Sequence, residues 1–103
     1  MKAVAMMKRA IKDSDLNGYK WTADKSGLHW EYCETSFTLI VDSEDGIQMV
    51  TFKDLVTGES VHTFVVPEED EWLCGSDHYH HRNVDDAIYW AARKMISKAN
   101  YVY

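Results

Sequence analysis

The chain has little cysteine and little proline, and it has no long apolar run. Two cysteines, Cys33 and Cys74, allow one disulfide at most, which excludes the dense disulfide framework of small secreted domains. The first twelve residues contain four cations and lack the continuous apolar block of a signal peptide or a membrane-spanning helix. We therefore expect a cytoplasmic protein that does not enter a membrane.

The chain also lacks a segment in which low hydrophobicity is combined with high charge, the composition that marks disorder. Hydrophobic residues make up 46% of the 103 residues and aromatic residues 13%, which is enough for a buried core. No internal repeat, low-complexity stretch or linker divides the sequence. We predict that residues 1–103 form a single compact domain.

Negative charge predominates, but it is distributed unevenly. The chain as a whole carries −6, and Lys2, Lys8, Arg9 and Lys12 place +4 near its start, so the remainder carries −10. A body of this charge repels nucleic acid phosphates and attracts basic surfaces. The charge therefore favours a protein partner with a basic surface and disfavours nucleic acid as a ligand.

Hydrophobic periodicity predicts the elements of an α+β domain. Residues 1–12 have the spacing of an amphipathic helix, and alternating residues around a turn at 24–27 indicate a hairpin. Three β-branched and apolar runs then follow, at 37–41, 47–52 and 61–66. We predict an N-terminal helix, an antiparallel meander of four to five strands, and a C-terminal helix packed on the sheet.

The last helix, predicted over residues 84–99, has the clearest pattern. Asn83 is placed to cap it, Asp85 and Asp86 suit its positive end, and Trp90 falls opposite its apolar stripe. Because the strands carry apolar residues at both odd and even positions, which face opposite sides of a sheet, we expect both sheet faces to be at least partly covered. The second helix, the hairpin and a partner all remain candidates to cover the second face, and an open apolar face would itself be the binding surface.

The segment 74–81 is rich in histidine and contains potential zinc ligands. Its spacing differs from the paired motifs that place ligands in tetrahedral order, and neighbouring histidines such as His80 and His81 diverge. We therefore predict a solvated loop with no metal and no cofactor. Were a metal bound, its ligands would come from His78, His80 and His81.

Other candidate chemistry has a structural explanation. Cys33 and Cys74 have the setting of small core residues and show no spacing that brings them to a histidine, so we do not expect an enzyme. His29 and His62 fall on strands at partly exposed positions. The aromatic residues of the first hairpin resemble a base-stacking platform, but acidic neighbours in place of a basic groove favour a core role.

The acidic residues and two tryptophans supply the predicted binding site. Carboxylates that line up on one side of a protein imitate a phosphate backbone, and exposed tryptophans anchor interfaces. The expected site comprises Asp42, Glu44, Asp45, Glu68, Glu69, Asp70, Glu71, Trp72, Asp86 and Trp90. The function expected from this site is protein binding.

The specific form of this hypothesis is a small acidic inhibitor that docks on the nucleic-acid-binding surface of a partner. In size and charge the chain is similar to phage anti-defence proteins that act as nucleic-acid mimics. Two alternatives stay open. One is an RNA- or DNA-binding module that uses the basic N-terminal helix, and the other is a metal-dependent hydrolase built on the histidine-rich loop.

Overall fold

The computed structural model describes residues 2–14, 20–31, 34–65, 80–81 and 83–102. The predicted α+β architecture is confirmed: an N-terminal helix, an antiparallel meander and a C-terminal helix packed on the sheet. In chain order, the elements are α1 (Lys2–Ser14), β1 (Trp21–Asp24), β2 (Gly27–Trp30), β3 (Thr35–Glu44), β4 (Ile47–Lys53), β5 (Ser60–Val65), β6 (His80–His81) and α2 (Val84–Val102).

Strands β1 to β5 pair in sequence order, each antiparallel to the next. Strand β6 follows at the edge and runs parallel to β5, with His80 opposite Phe64 and His81 opposite Val65. The prediction of a loop at His80 and His81 is therefore wrong. Two residues are too few to show a strand period, and their pairing depends on β5, which lies distant in sequence.

The turn between β3 and β4 is a two-residue hairpin connection. Asp45 and Gly46 both have positive φ, 52° and 79°, as a turn that matches the right-handed twist of the strands requires. Glycine adopts this conformation without strain and aspartate tolerates it better than most residues. The turn fixes the register in which Glu44 faces Ile47 and Val41 faces Val50.

The hydrophobic core lies on one face of the sheet. Helix α1 packs against α2 and against β1, while α2 covers β4 and β5, so both helices lie on this same face. The helix stripe predicted from the sequence is confirmed, because Ala87, Ala91 and Met95 are buried. The buried side chains that the strands contribute are Trp21, Leu28, Trp30, Phe37, Val50, Phe52, Thr63 and Val65.

The first hairpin contributes an aromatic stack to this core. The rings of Trp21 and Trp30 lie parallel within 5° at a centroid distance of 5.2 Å, and Phe37 lies 5.8 Å from Trp21. Only 8% of Trp21 and 1% of Trp30 remain exposed. These two rings therefore serve the core and are closed to base stacking, as predicted.

The outer sheet face is mainly polar. The register places Thr22, His29 and Ser36 on it in one cross-strand row. A second row contains Ile40, Thr51 and His62. A third row contains Asp42, Met49 and Phe64. Polar side chains still predominate on the described strands, and among these strands the condition under which an open apolar face would carry the binding surface is not met.

A side chain bonds to the backbone at one end of each helix, and at the start of α2 it is the predicted capping residue. Helix α2 begins after Asn83, whose Oδ1 accepts a hydrogen bond of 2.8 Å from the Asp86 amide. Helix α1 ends at Ser14, where the hydroxyl turns back to the Ala10 carbonyl oxygen at 2.7 Å. Neither helix has an apolar stretch of the length that crossing a membrane requires.

Candidate functional site

The β3–β4 hairpin presents three acidic side chains at its end. Asp42 and Glu44 lie on the last part of β3, and Asp45 begins the turn. All three residues are exposed. Strand alternation places Asp42 and Glu44 on the same face of β3, and Asp45 follows them in the turn.

The start of α2 lies at this same end of the sheet. Lys98, late in α2, contacts the beginning of β5, since its Nζ lies 2.8 Å from Glu59 Oε2 and donates to the Ser60 carbonyl oxygen at 3.2 Å. The other end of α2 follows β6, where His81 pairs with Val65 at the end of β5. Because the end of β5 pairs with the start of β4, the topology brings the first turn of α2 towards the β3–β4 turn.

We call the carboxylates at this end the acidic end; its members are Asp42, Glu44, Asp45, Asp85 and Asp86. The two that lie on α2 are already engaged locally. Asp86 is exposed and accepts a hydrogen bond of 3.1 Å from the Asn83 side chain. Asp85 lies 4.0 Å from the ammonium group of Lys2, which is itself 87% exposed.

Trp90 lies beside Arg93 and Tyr89 on the exposed side of α2. As predicted, it is opposite the apolar stripe, with 46% of its surface exposed. The Arg93 guanidinium lies 5.4 Å from its ring centre and 5.7 Å from that of Tyr89, and Arg9 lies 5.3 Å above Tyr89. We call these four residues the arginine–aromatic cluster. Its local charge is opposite to that of the acidic end.

The remaining predicted site residues cannot be placed side by side with these. Glu68, Glu69, Asp70, Glu71 and Trp72 lie outside the described residues, as does His78. His80 and His81 form β6, and the structure describes their backbone pairing alone. Within the described ranges, no three His, Cys, Asp or Glu side chains are grouped as a metal site requires.

A hydrogen-bonded network that was not predicted lies on the outer face of the first hairpin. His29 Nε2 lies 2.9 Å from Asp24 Oδ2, and its Nδ1 lies 2.9 Å from Ser36 Oγ. Asp24 Oδ1 also accepts from the amide of Ser26 at 2.8 Å and from its hydroxyl at 2.5 Å. The Ser26 hydroxyl, followed by the His29 ring and the Ser26 amide, lowers the pKa of the Asp24 carboxyl far below its ordinary range.

Ser36 also lines a cleft of about 370 Å³ between the start of β3 and the loop that follows β4. Exposed apolar residues of that loop, Leu55 and Val56, form part of its wall. The sequence signal for the network was the alternation that places His29 and Ser36 on one face. It could be used only once the pairing of β2 with β3 was known.

Comparison with known proteins identifies no relative: no family model, no curated protein and no solved structure matches the chain.

Proposed function

We propose that the protein is a binding module whose acidic end docks on the basic, nucleic-acid-binding surface of a partner protein and thereby inhibits the partner. The observation that supports this most directly is topological. Carboxylates from the β3–β4 turn and from the start of α2, about forty positions apart in the sequence, are directed to one end of the sheet.

The acidic end has the properties that electrostatic docking needs. Its hairpin carboxylates are exposed and therefore accessible to a partner. A two-residue turn fixes their position at the end of a pair of hydrogen-bonded strands. Charges arranged on a rigid element steer a partner of opposite sign and fix the orientation of docking. At about 0.15 M salt such attraction acts over roughly 8 Å, which makes it sensitive to ionic strength.

Two matched variants test this proposal. D42N/E44Q removes two charges from the acidic end, whereas E31Q/E34Q removes two exposed charges from the opposite end of β3. The two sites are separated by the length of that strand, about 30 Å. We expect D42N/E44Q to lose a partner that both wild type and E31Q/E34Q capture from the source cell at low salt.

The captured partner should itself be nucleic-acid-binding, and duplex nucleic acid should displace the wild-type protein from it, because both ligands occupy one surface. Capture that is equal for the two variants would exclude the acidic end as the docking site. If the partner has no basic surface, or if it binds this protein and the duplex at the same time, the acidic end does not imitate nucleic acid.

The arginine–aromatic cluster favours a second candidate function, in which the helix layer binds nucleic acid. It extends the basic face of α1 onto α2, because Arg9 and Arg93 lie against the same Tyr89 ring. Guanidinium groups bind the phosphates of a duplex without reading its bases.

This candidate predicts a salt-sensitive mobility shift of duplex RNA by the wild-type protein. The shift should disappear in K8Q/R9Q/K12Q, which neutralises three of the four exposed cations of α1, and should persist in D42N/E44Q. If the α1 variant and the wild type shift RNA equally, or neither does, the helix layer has no such function.

A further inference from the structure

Asp24, His29 and Ser36 form a continuous hydrogen-bonded series across three neighbouring strands. The register places His29 directly opposite Ser36, and Asp24 lies on the same face of β1. Each of the two contacts of the imidazole, to the carboxylate and to the hydroxyl, measures 2.9 Å. Such an order of carboxylate, imidazole and hydroxyl is the arrangement that activates a serine nucleophile.

The direction of the hydrogen bonds follows from the charge of Asp24. A carboxylate only accepts, so the nitrogen that faces it, His29 Nε2, carries the proton of the neutral ring. The other nitrogen, Nδ1, is then an acceptor, and the hydroxyl of Ser36 donates to it. This is the tautomer in which the ring can take the serine proton.

The cleft beside Ser36 supplies a place for a small ligand. Its volume of about 370 Å³ lies at the lower end of the range for small-molecule sites. Leu55 and Val56 offer it an apolar wall, and two acidic residues, Glu34 and Asp54, also line it. An uncharged acyl chain suits this lining, whereas an anionic one is repelled by the carboxylates.

We propose that Ser36 is an activated nucleophile that accepts short, uncharged acyl groups from esters, with His29 as general base and Asp24 as the residue that positions the imidazole. Ser36 Oγ bonds to the carbonyl carbon while its proton passes to His29 Nδ1. The bond to the leaving oxygen then breaks, and the alcohol departs with that proton. Water then attacks the acyl-serine and gives a proton to His29. The bond between the acyl carbon and Ser36 Oγ breaks, His29 returns the proton to Ser36 Oγ, and the carboxylic acid leaves.

A short alkyl fluorophosphonate tests the nucleophile on the full-length protein. The Ser36 oxygen forms a bond to phosphorus, fluoride leaves, and the proton passes through His29 to solvent. We expect one adduct, located on Ser36 by peptide mass spectrometry and absent from S36A. S43A is the matched control, since Ser43 is an exposed serine on the same strand, and it should label at the wild-type rate.

The role of the imidazole has its own test. H29A should label at least about tenfold more slowly, and added imidazole should restore the rate, an effect that a merely structural histidine would not show. D24N should slow labelling and D24E should recover part of the loss. Circular dichroism identifies any variant that is unfolded. If H29A or D24N is unfolded, the comparison of wild type with S36A still tests the nucleophile, because S36A removes only an exposed hydroxyl.

The proposal is overturned if no adduct forms, if the adduct lies on another serine, or if H29A labels as fast as wild type. It stands if labelling is confined to Ser36 and depends on His29. Hydrolysis of p-nitrophenyl butyrate, lost in S36A and retained in S43A, should accompany the labelling. Retention of labelling in D42N/E44Q separates this site from the acidic end.

Discussion

Gly27 has a backbone conformation and an environment that exclude a side chain. Its φ is +146°, and a Cβ built on it would lie 2.1 Å from the Phe37 carbonyl oxygen and 2.8 Å from the Leu39 amide nitrogen. These atoms belong to the backbone of β3, which is held by its own pairing and also by a bond of 2.8 Å from the Leu39 amide to Ser26. Neither can move without opening the first hairpin.

G27A should therefore lower the free energy of unfolding by about 3 kcal/mol, from backbone strain and from the clash with β3. Gly58 is the matched control, because its φ is +80° but nothing lies within 4 Å of a Cβ there. G58A should cost about 1 kcal/mol, the conformational penalty alone. Urea unfolding measures both, and equal losses would contradict the role assigned to the Gly27 contact.

Asp24 makes the stability of the first hairpin depend on pH. Its pKa is lowered in the folded protein, so the carboxylate binds protons more weakly there than in the unfolded chain. The stability that it contributes is complete above the ordinary aspartate value near 3.9 and is lost as the pH falls below that value towards the folded one.

D24N should consequently be less stable than wild type at pH 6, and this difference should shrink as the pH falls below about 4. Asp42 is exposed and supplies the control D42N, which removes an equal charge outside this network. Thermal unfolding at a series of pH values measures the difference. A gap between D24N and wild type that is constant from pH 6 to pH 2.5 would contradict the explanation.

At the scale of elements, Tyr89 ties the two helices together. Its hydroxyl donates to Asp13 Oδ2 at 2.5 Å, which joins the end of α1 to the second turn of α2. Arg93 Nη1 lies 3.4 Å from the same hydroxyl oxygen, and Arg9 lies 3.9 Å from the carboxylate of Asp13. The contact is partly solvated, which limits its contribution to stability.

Y89F should reduce stability by about 1 kcal/mol, since it removes this hydrogen bond and keeps the ring. D13N should give a similar loss, and the double variant should cost less than the sum of the two, because both changes remove one interaction. Urea unfolding of the four proteins gives the coupling. Additive losses would show that the hydroxyl and the carboxylate act separately.

The elements that were predicted correctly can be recognised from their own local sequence. Helix α2 repeats its apolar residues with the helical period and starts at a capping asparagine, and the β3–β4 hairpin contains an Asp-Gly pair between alternating strands. Strand β6 was missed because its pairing with β5 is set by contacts that are distant in sequence. The same limit applied to the coverage of the sheet. The sequence predicted two amphipathic helices, but it did not show that both pack on the same face of the sheet.

The candidate sites show this limit more strongly. The exposure of Asp42, Glu44 and Asp45 follows from their place at a hairpin end, and that of Trp90 from its angle on α2. The contact of Arg93 with Trp90 follows from their spacing of three residues on α2, whereas the contact of Arg9 with Tyr89 joins two helices and could not be foreseen. Among the described residues, the acidic side chains of α2 lie in its first turn, and Arg93 and Tyr89 lie against the Trp90 ring.

At the scale of the whole molecule, the charges of the described residues are divided between the helix layer and the sheet. The helices α1 and α2 contain seven of the 11 lysines and arginines but only three of the 17 acidic residues. In the sheet and its turns, as far as the structure describes them at residues 20–31 and 34–65, there are eight acidic residues and three lysines. A partner with a basic surface is therefore attracted to the sheet and its hairpin ends and repelled by most of the helix layer, which orients the encounter.

The most direct test of docking through the acidic end is the salt dependence of binding to the purified partner. The dissociation constants of wild type, D42N/E44Q and E31Q/E34Q are measured between 50 and 500 mM salt. The acidic-end variant should bind at least about tenfold more weakly at 50 mM and converge with wild type at high salt, while the control variant follows wild type throughout. Superimposable curves for wild type and D42N/E44Q would contradict docking through the acidic end.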